Sequence, residues 1–262
     1  MKLLKKYGQN FLQDPGYARQ IAAALASVPH DNIIEIGPGS GVLTTYIARG
    51  LYEKLQLIEI DARCVEMLKR DYGSNKNIEI INSDFLRYDF QFYWGEPKKQ
   101  IKVIGNIPYY ITSQILFKLL DNYRYISRIV LMVQKEVANR LTAECGSKDY
   151  GITSIFLATM GEAQVLFDIG KENFKPVPKV DSSVIMVEFN RTTDEILDYH
   201  IFVNLVRGTF QTRRKKIKNS LDRIIGASNT ARIRSIDLNC RPENLSPDEF
   251  KVLANEVYSF SN

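Results

Sequence analysis

The chain has 262 residues, 45% hydrophobic and 25% charged, enough for one large α/β domain with a small appendage and a core that needs no covalent staples. Its 35 Lys+Arg against 30 Asp+Glu leave a net charge of +5, so the position of the cations matters more than their number. Cys64, Cys145 and Cys240 include no CxxC pair, which excludes a disulfide framework or a zinc site of that kind; the Lys-rich start has no apolar segment behind it and no run reaches membrane length, so the expected compartment is a reducing cytoplasm.

Residues 1–13 are basic and amide-rich without periodicity, and read as a flexible arm carrying Lys2, Lys5 and Lys6. Asp14 followed by Pro15 is an N-cap and first-turn signature, predicting a helix over 15–25. Short β-branched runs at 32–36, 55–60, 77–81, 101–104 and 129–133 alternate with helical patterns, which predicts a parallel, doubly wound sheet. The runs 163–169 and 183–189 leave no room for a helix between them and predict an antiparallel pair closing the sheet. The expected fold is therefore α/β: a Rossmann-like, seven-stranded sheet, mostly parallel with a terminal antiparallel hairpin, closer to class I methyltransferases than to dehydrogenases. After Asn190 the pattern turns helical: Thr192, Thr193 and Asp194 read as linker and cap, dividing a domain at 1–193 from a small all-α domain at 194–262.

Four motifs carry chemistry. Gly37, Gly39 and Gly41 follow the first strand in a GxGxG spacing, distinct from the GxGxxG of dinucleotide binders; glycines there permit a tight turn and close approach of a ligand. Glu59 ends the second strand, where a carboxylate can accept both hydroxyls of a ribose. Asp84, in Ser83-Asp84-Phe85, can accept from an adenine amino group while an apolar neighbour packs the ring. Asn106-Ile107-Pro108-Tyr109 is of the (N/D)-P-P-Y type. An Asn oxygen and a nearby backbone carbonyl can take both hydrogens of an exocyclic amine and leave its lone pair aimed at a methyl donor. Pro108 stiffens that loop, and Tyr109 offers a face for a flipped base. Singly, each motif also reads as an ordinary turn or a surface carboxylate. Together they stand at the carboxyl ends of successive strands and fit S-adenosyl-L-methionine.

The combination resembles the ribosomal RNA adenine N6,N6-dimethyltransferase family. The match is carried by QNFL at 9–12, EIGPGSG at 35–41, IEID at 58–61 and NIPYY at 106–110, extended by VQKEVANRL at 133–141, FKPVPKVDSSV at 174–184 and FQTRRKKIKNSL at 210–221. The resemblance implies that Asn10, Leu12, Gly37, Glu59, Asp84 and Asn106 contact the cofactor, that Asn106 and Tyr109 hold the target adenine, and that Phe174 packs on that base. Pro38, the Leu of QNFL and the K-x-Y-G run at 148–151 favour the small-subunit branch over the related large-subunit enzymes that confer antibiotic resistance. The implied substrate is a pair of adjacent adenines in the 3′-terminal stem-loop of 16S rRNA, inside an immature small ribosomal subunit. The implied reaction is direct in-line transfer by a monomer, with no metal and no membrane. A non-catalytic assembly factor on the same fold is the alternative.

Arg207, Arg213, Arg214, Lys215, Lys216 and Lys218 fall within twelve residues that contain no acid. Such a cluster can neutralise phosphates, so these six are the expected RNA contacts; a solvated helix face is the plainer reading. Phe210 sits on the apolar stripe with Val206 and Ile217 and is expected in the core. His30 and His200 lie outside every motif, so no histidine base is expected.

Overall fold

A computed structural model of the chain describes residues 10–97 and 101–260. The expected basic arm with Lys2, Lys5 and Lys6, and Gln9 of the first motif, lie outside the described residues. In chain order the strands are β1 (Phe11–Leu12), β2 (Asn32–Ile36), β3 (Lys54–Glu59), β4 (Ile78–Asn82), β5 (Ile101–Asn106), β6 (Ile126–Gln134), β7 (Glu162–Ile169), β8 (Phe174–Lys175) and β9 (Ser182–Glu188). The helices are α1 (Pro15–Ala24), α2 (Thr44–Ile47), α3 (Ala62–Tyr72), α4 (Phe90–Trp94), α5 (Thr112–Asp121), α6 (Lys135–Leu141), α7 (Ile152–Met160), α8 (Tyr199–Phe210), α9 (Ile217–Ile225), α10 (Ala227–Thr230) and α11 (Pro247–Tyr258).

The chain packs as two units, one of residues 1–138 and 163–189, the other of 139–162 and 190–262. The first is built on a seven-stranded sheet of order β4-β3-β2-β5-β6-β9-β7. Strands β2 to β6 pair in parallel, and β9 runs antiparallel to β6, inserted between it and the edge strand β7. The apolar runs that looked like strands are strands because they are covered on both faces: Ile33, Ile34, Leu55, Leu57, Val103, Ile104 and Val130 are fully buried. The chain proceeds from β2 outward to β3 and β4, then returns to the other side of β2 as β5. That reversal opens a crevice between the carboxyl ends of β2 and β5. Gly105 permits the two strands to close up there, since a Cβ on it would lie 2.7 Å from the Ile36 carbonyl oxygen.

The N-terminal motif is ordered sooner than its composition suggested. Instead of an arm free to Gln13, Phe11 and Leu12 pair antiparallel with Lys175 and Phe174 as a second, two-stranded sheet. Gln13 N–H adds a bond to Asn173 O at 2.8 Å. The physical reason is Leu12, which is buried in the core with Ile104, Val130 and Phe174 and pins the strand by its side chain. Asp14 then caps α1, accepting from Gly16 N–H at 2.6 Å, as the Asp-Pro pair predicts.

The second unit is helical, built from α7 to α11. The single cut expected at 193/194 differs from the observed division in that 139–162 joins this unit. The cause is α7, whose sequence ITSIFLATM buries Ile155, Phe156, Leu157 and Met160 together with Ser154 and Thr159. Phe156 on it meets Phe202 of α8 at 5.9 Å between ring centroids, and Tyr150 before it meets Phe210 at 6.4 Å. Tyr150 is buried and donates its hydroxyl to Leu245 O at 2.9 Å. Val206 and Ile217 are fully buried and Phe210 is partly so, as the apolar stripe predicts. The cap of α8 is Asp198 rather than Asp194; its carboxylate accepts from the His200 and Ile201 amides. A Ser246/Glu249 capping box with Pro247 opens α11. Among the described residues no helix is long and apolar enough to cross a membrane.

Candidate active site

A cavity of about 240 Å³ occupies the crevice of the first unit. Asn10, Leu12, Gly37, Gly39, Glu59, Asp84, Asn106, Pro108 and Tyr109 all line it. Two expected residues do not. Gly41 lies one step further along, where its N–H donates to Pro38 O and its carbonyl accepts from Thr45; it shapes the turn into α2. Phe174 is 2% exposed and sits in the core instead of on the cavity wall, because its strand is drawn in with Leu12.

The glycine-rich loop is held from two sides. Gly37, Gly39 and Gly41 adopt φ of 63°, 57° and 82°, values that disfavour any side chain. At Gly39 an added Cβ would also strike the Phe11 ring at 2.6 Å, so β1 packs directly on the loop. From the other side, Glu59 Oε2 accepts the Gly39 N–H at 2.9 Å and Oε1 accepts the Asp61 N–H at 2.8 Å. Burial pushes the Glu59 carboxyl above its ordinary range, and those two amide bonds oppose the shift. Each carboxylate oxygen keeps a lone pair beyond these bonds.

Glu35, at the head of the glycine motif, is fully buried and accepts from the Thr44 hydroxyl at 2.7 Å. Burial, opposed by that hydroxyl and reinforced by the nearby Glu59 charge, raises it to about 8. Asp84 commits one oxygen to Leu86 N–H at 2.9 Å, which starts a short 3₁₀ turn and brings Phe85 to the cavity as an apolar wall.

Opposite these groups, the loop after β5 is braced throughout. Ile107 N–H donates to Met132 O at 3.1 Å, and the Thr112 hydroxyl sits 3.2 Å from the carbonyls of Pro108 and Tyr109. Asn106 Nδ2 donates to the main-chain carbonyl of Asn10 at 2.8 Å. The half-buried Tyr109 shares a 2.7 Å hydrogen bond with Ser182 Oγ, and burial raises its phenol above the ordinary range. Tyr110 stands at the rim, 59% exposed. Glu35, Ser182 and the Asn10 carbonyl lie within the motifs, but the motifs gave Glu35 and Ser182 no role and gave Asn10 none through its carbonyl. Their partners lie 9, 73 and 96 residues away, which is why the pairings could not be read from the motifs.

The basic residues belong to the second unit and do not form one helix. Arg207 is on α8, Lys218 on α9, and 211–216 is the turn between them. Arg213 is committed within the fold: its guanidinium holds Glu243 at 2.5 Å and the carbonyls of Ser147 and Lys148 at 3.2 and 2.6 Å. Lys216 donates to Asn239 at 3.0 Å, and Arg207 lies 5.9 Å from the Phe156 ring. Arg207, Arg214, Lys215, Lys216 and Lys218 are all exposed, and Arg213 alone of the six is partly buried.

The profile of the family described as ribosomal RNA adenine dimethylase matches residues 1–258. Among curated proteins, the chain is 40% identical to ribosomal RNA small subunit methyltransferase A of Chlorobium phaeobacteroides strain BS1, over 97% of this chain and 93% of the relative. It is 39% identical to the protein of that name from Mycoplasma capricolum, over 98% of each. Among solved structures, a dimethyladenosine transferase from Plasmodium falciparum superposes with a TM-score of 0.78 at 23% identity, covering 96% of this chain and 97% of the other. The 23S rRNA methyltransferase ErmE gives 0.71 at 25% identity, covering 95% and 100%.

Proposed function

The chain belongs to the ribosomal RNA adenine dimethylase family, and from that premise we propose that it dimethylates N6 of two adjacent adenines in the 3′-terminal stem-loop of 16S rRNA, using S-adenosyl-L-methionine, within an immature small subunit in the cytoplasm. The small-subunit reading is supported by relatives near 40% identity that bear that name over almost the whole chain, against 25% for the large-subunit enzyme. The observation that carries catalysis is the convergence of Glu59, Asp84, Asn106 and Tyr109 on one crevice at the switch point of the sheet.

The cavity fits the cofactor by its donor set. Glu59 has lone pairs left for ribose hydroxyls, Asp84 has a second oxygen for an adenine amine beside the Phe85 wall, and the glycine loop lets a ligand approach the backbone. Asn10 and Leu12 close the same space. When bound, S-adenosyl-L-methionine supplies an electrophilic methyl group. The chain's own work is positioning, which can supply much of the barrier reduction. Asn106 Oδ1 and a carbonyl of the same loop accept the two N6 hydrogens of the target, so that its lone pair faces the methyl carbon. Tyr109 presents its ring to the base, held at the hydroxyl by Ser182. Pro108 limits the loop's freedom. With the methyl donor bound, this arrangement would aim the amine at the methyl group, and the proton the amine loses on transfer would pass to water. Base packing by Phe174 is left out, since that ring is in the core. In the second unit, Arg207, Arg214, Lys215, Lys216 and Lys218 are exposed and Arg213 is partly buried, so those five are the cations that would meet phosphates; the enzyme acts as a monomer.

The test is transfer of tritiated methyl from S-adenosyl-L-methionine to immature small subunits, with the product nucleoside identified by mass spectrometry. N6,N6-dimethyladenosine in the 3′-terminal stem-loop is expected. Label in large-subunit RNA would move the chain to the other branch of the family, and no incorporation would leave it as an assembly factor without catalysis.

A further inference from the structure

We propose that the main-chain carbonyl of Asn10 is a positioning group for methyl transfer: it holds the Asn106 amide in the one orientation that turns Oδ1 toward the target amine. This rests on the reading of Asn106 as the acceptor for N6 hydrogens. The two ends of an Asn amide are nearly alike in shape, and only their partners distinguish them. A backbone carbonyl can accept and cannot donate, so the group 2.8 Å from Asn10 O has to be the NH2. Planarity of the amide then sends Oδ1 the other way, and Asn106 lines the cavity. The flipped amide would set oxygen against oxygen at Asn10 and present a donor to an amine that is itself a donor. Without the carbonyl the two orientations would compete, and part of the enzyme would face its substrate wrongly.

Four ties keep that carbonyl in place. The next residues pair with β8, Gln13 N–H bonds Asn173 O, Leu12 is buried, and the Phe11 ring lies against Gly39. One short segment thus registers both halves of the crevice, Phe11 on the glycine loop and Asn10 on the amine acceptor. The sequence motif shows that Asn10 matters but not through which atom. Its contribution to Asn106 is a backbone atom, invisible to side-chain reasoning.

An Asn106→Asp variant tests this. An ionised carboxylate would put oxygen against the Asn10 carbonyl, whereas a protonated one donates to it and leaves its carbonyl oxygen facing the cavity. Variant activity relative to wild type should therefore be low at alkaline pH and rise by about tenfold per pH unit lowered, until the carboxyl is protonated. The other titratable groups around the cavity are Glu35 on β2, Glu59 on β3, Asp84 after β4, and Tyr109 and Tyr110 after β5. All are present in both proteins, so the ratio isolates the new carboxyl. A ratio independent of pH, whether the variant is active or dead, overturns the proposal. A second readout needs no activity. In the full-length 15N-labelled protein, the Asn106 side-chain amide should show one proton protected from exchange, and deletion of residues 1–10 should remove the protection; free exchange in the intact chain overturns the proposal. If wild type fails to methylate adenine while the amide stays protected, it is the assigned reaction that fails and the hydrogen bond that stands.

Discussion

The crevice of the first unit and the basic turn of the second differ in how their polar groups are held. In the crevice, the side chains of Glu35, Glu59, Asp84, Asn106 and Tyr109 each bond to an amide, a carbonyl or a hydroxyl of the protein, those of Asn106 and Tyr109 across 96 and 73 residues of sequence. In the turn, Arg214 and Lys215 face water, whereas Arg213 is tied to Glu243 and to the carbonyls of Ser147 and Lys148. On the proposed roles, the first kind of site would work by geometry, so one atom displaced would be costly, and the second by charge, so contributions would add and depend on salt. Asn106→Ala is the strongest test of that contrast. Removing a preorganised hydrogen-bonding partner at a reacting centre costs about 10²–10³-fold in kcat. Melting temperature should hardly change, because Asn106 is only partly buried. Near-normal turnover by the folded variant would take the crevice out of the geometric class.

The buried acid at the head of the glycine motif gives a sharper, pH-resolved version. Glu35 moves from an ordinary 4.5 to about 8 on folding. Between those values the folded protein keeps a proton that the unfolded chain releases, so stability falls as pH rises through the window. Glu35→Gln removes the titration while preserving an acceptor for Thr44. It should match wild type below pH 4.5 and exceed it by roughly 2 kcal/mol at pH 9, with relaxation discounting the full shift. Chemical denaturation at three pH values checks this; a variant no more stable at pH 9 than wild type means that folding does not raise the Glu35 carboxyl above its ordinary range.

What the sequence revealed follows the same line. The seven strands and the four motifs at their carboxyl ends were legible because they rest on local signals: β-branched runs, glycine spacing, a Pro-bearing loop. Leu12 drawing Phe11 into a strand with Lys175 was not, since a two-residue strand has no period to read and its partner lies in the other half of the unit. Arg213 was read as an RNA contact for a related reason. Within a charge run all cations look alike, and what distinguishes this one is Glu243 and two carbonyls near residue 147, all distant in sequence. The transfer of 139–162 to the second unit was hidden because α7 mixes apolar residues with small hydroxyl ones that can also be buried, a pattern that fits any core.

Glu59 comes next in size. Its carboxylate is predicted both to hold the ribose and to pin Gly39, so Glu59→Ala should weaken S-adenosyl-L-methionine binding by about 1–3 kcal/mol, the range for hydrogen bonds to a charged group. Glu59→Gln, which retains one oxygen acceptor, should fall between. Calorimetry giving unchanged affinity for the Ala variant would reject the ribose assignment.

The smallest effects fall on the turn, where neighbouring cations should behave oppositely. Arg213→Gln breaks the bond to Glu243 and those to Ser147 and Lys148, so it should cost about 1–2 kcal/mol of stability. The slope of log K against log salt for RNA binding should hold, because a guanidinium so engaged releases few counterions. Replacing Arg214 and Lys215 by Gln should do the reverse: stability within about 0.5 kcal/mol, and a slope flatter by about 0.7–0.9 for each phosphate that is no longer neutralised. Cofactor affinity should be unmoved in both, since the crevice is built from residues of the first unit. Filter binding over a salt series, paired with thermal melts, separates the two outcomes. If the Arg214/Lys215 variant keeps the wild-type slope, this turn is a solvated surface and the RNA footprint of the second unit lies elsewhere. If Arg213→Gln flattens the slope without loss of stability, exposure would be a poor guide to which charge in a run meets a phosphate.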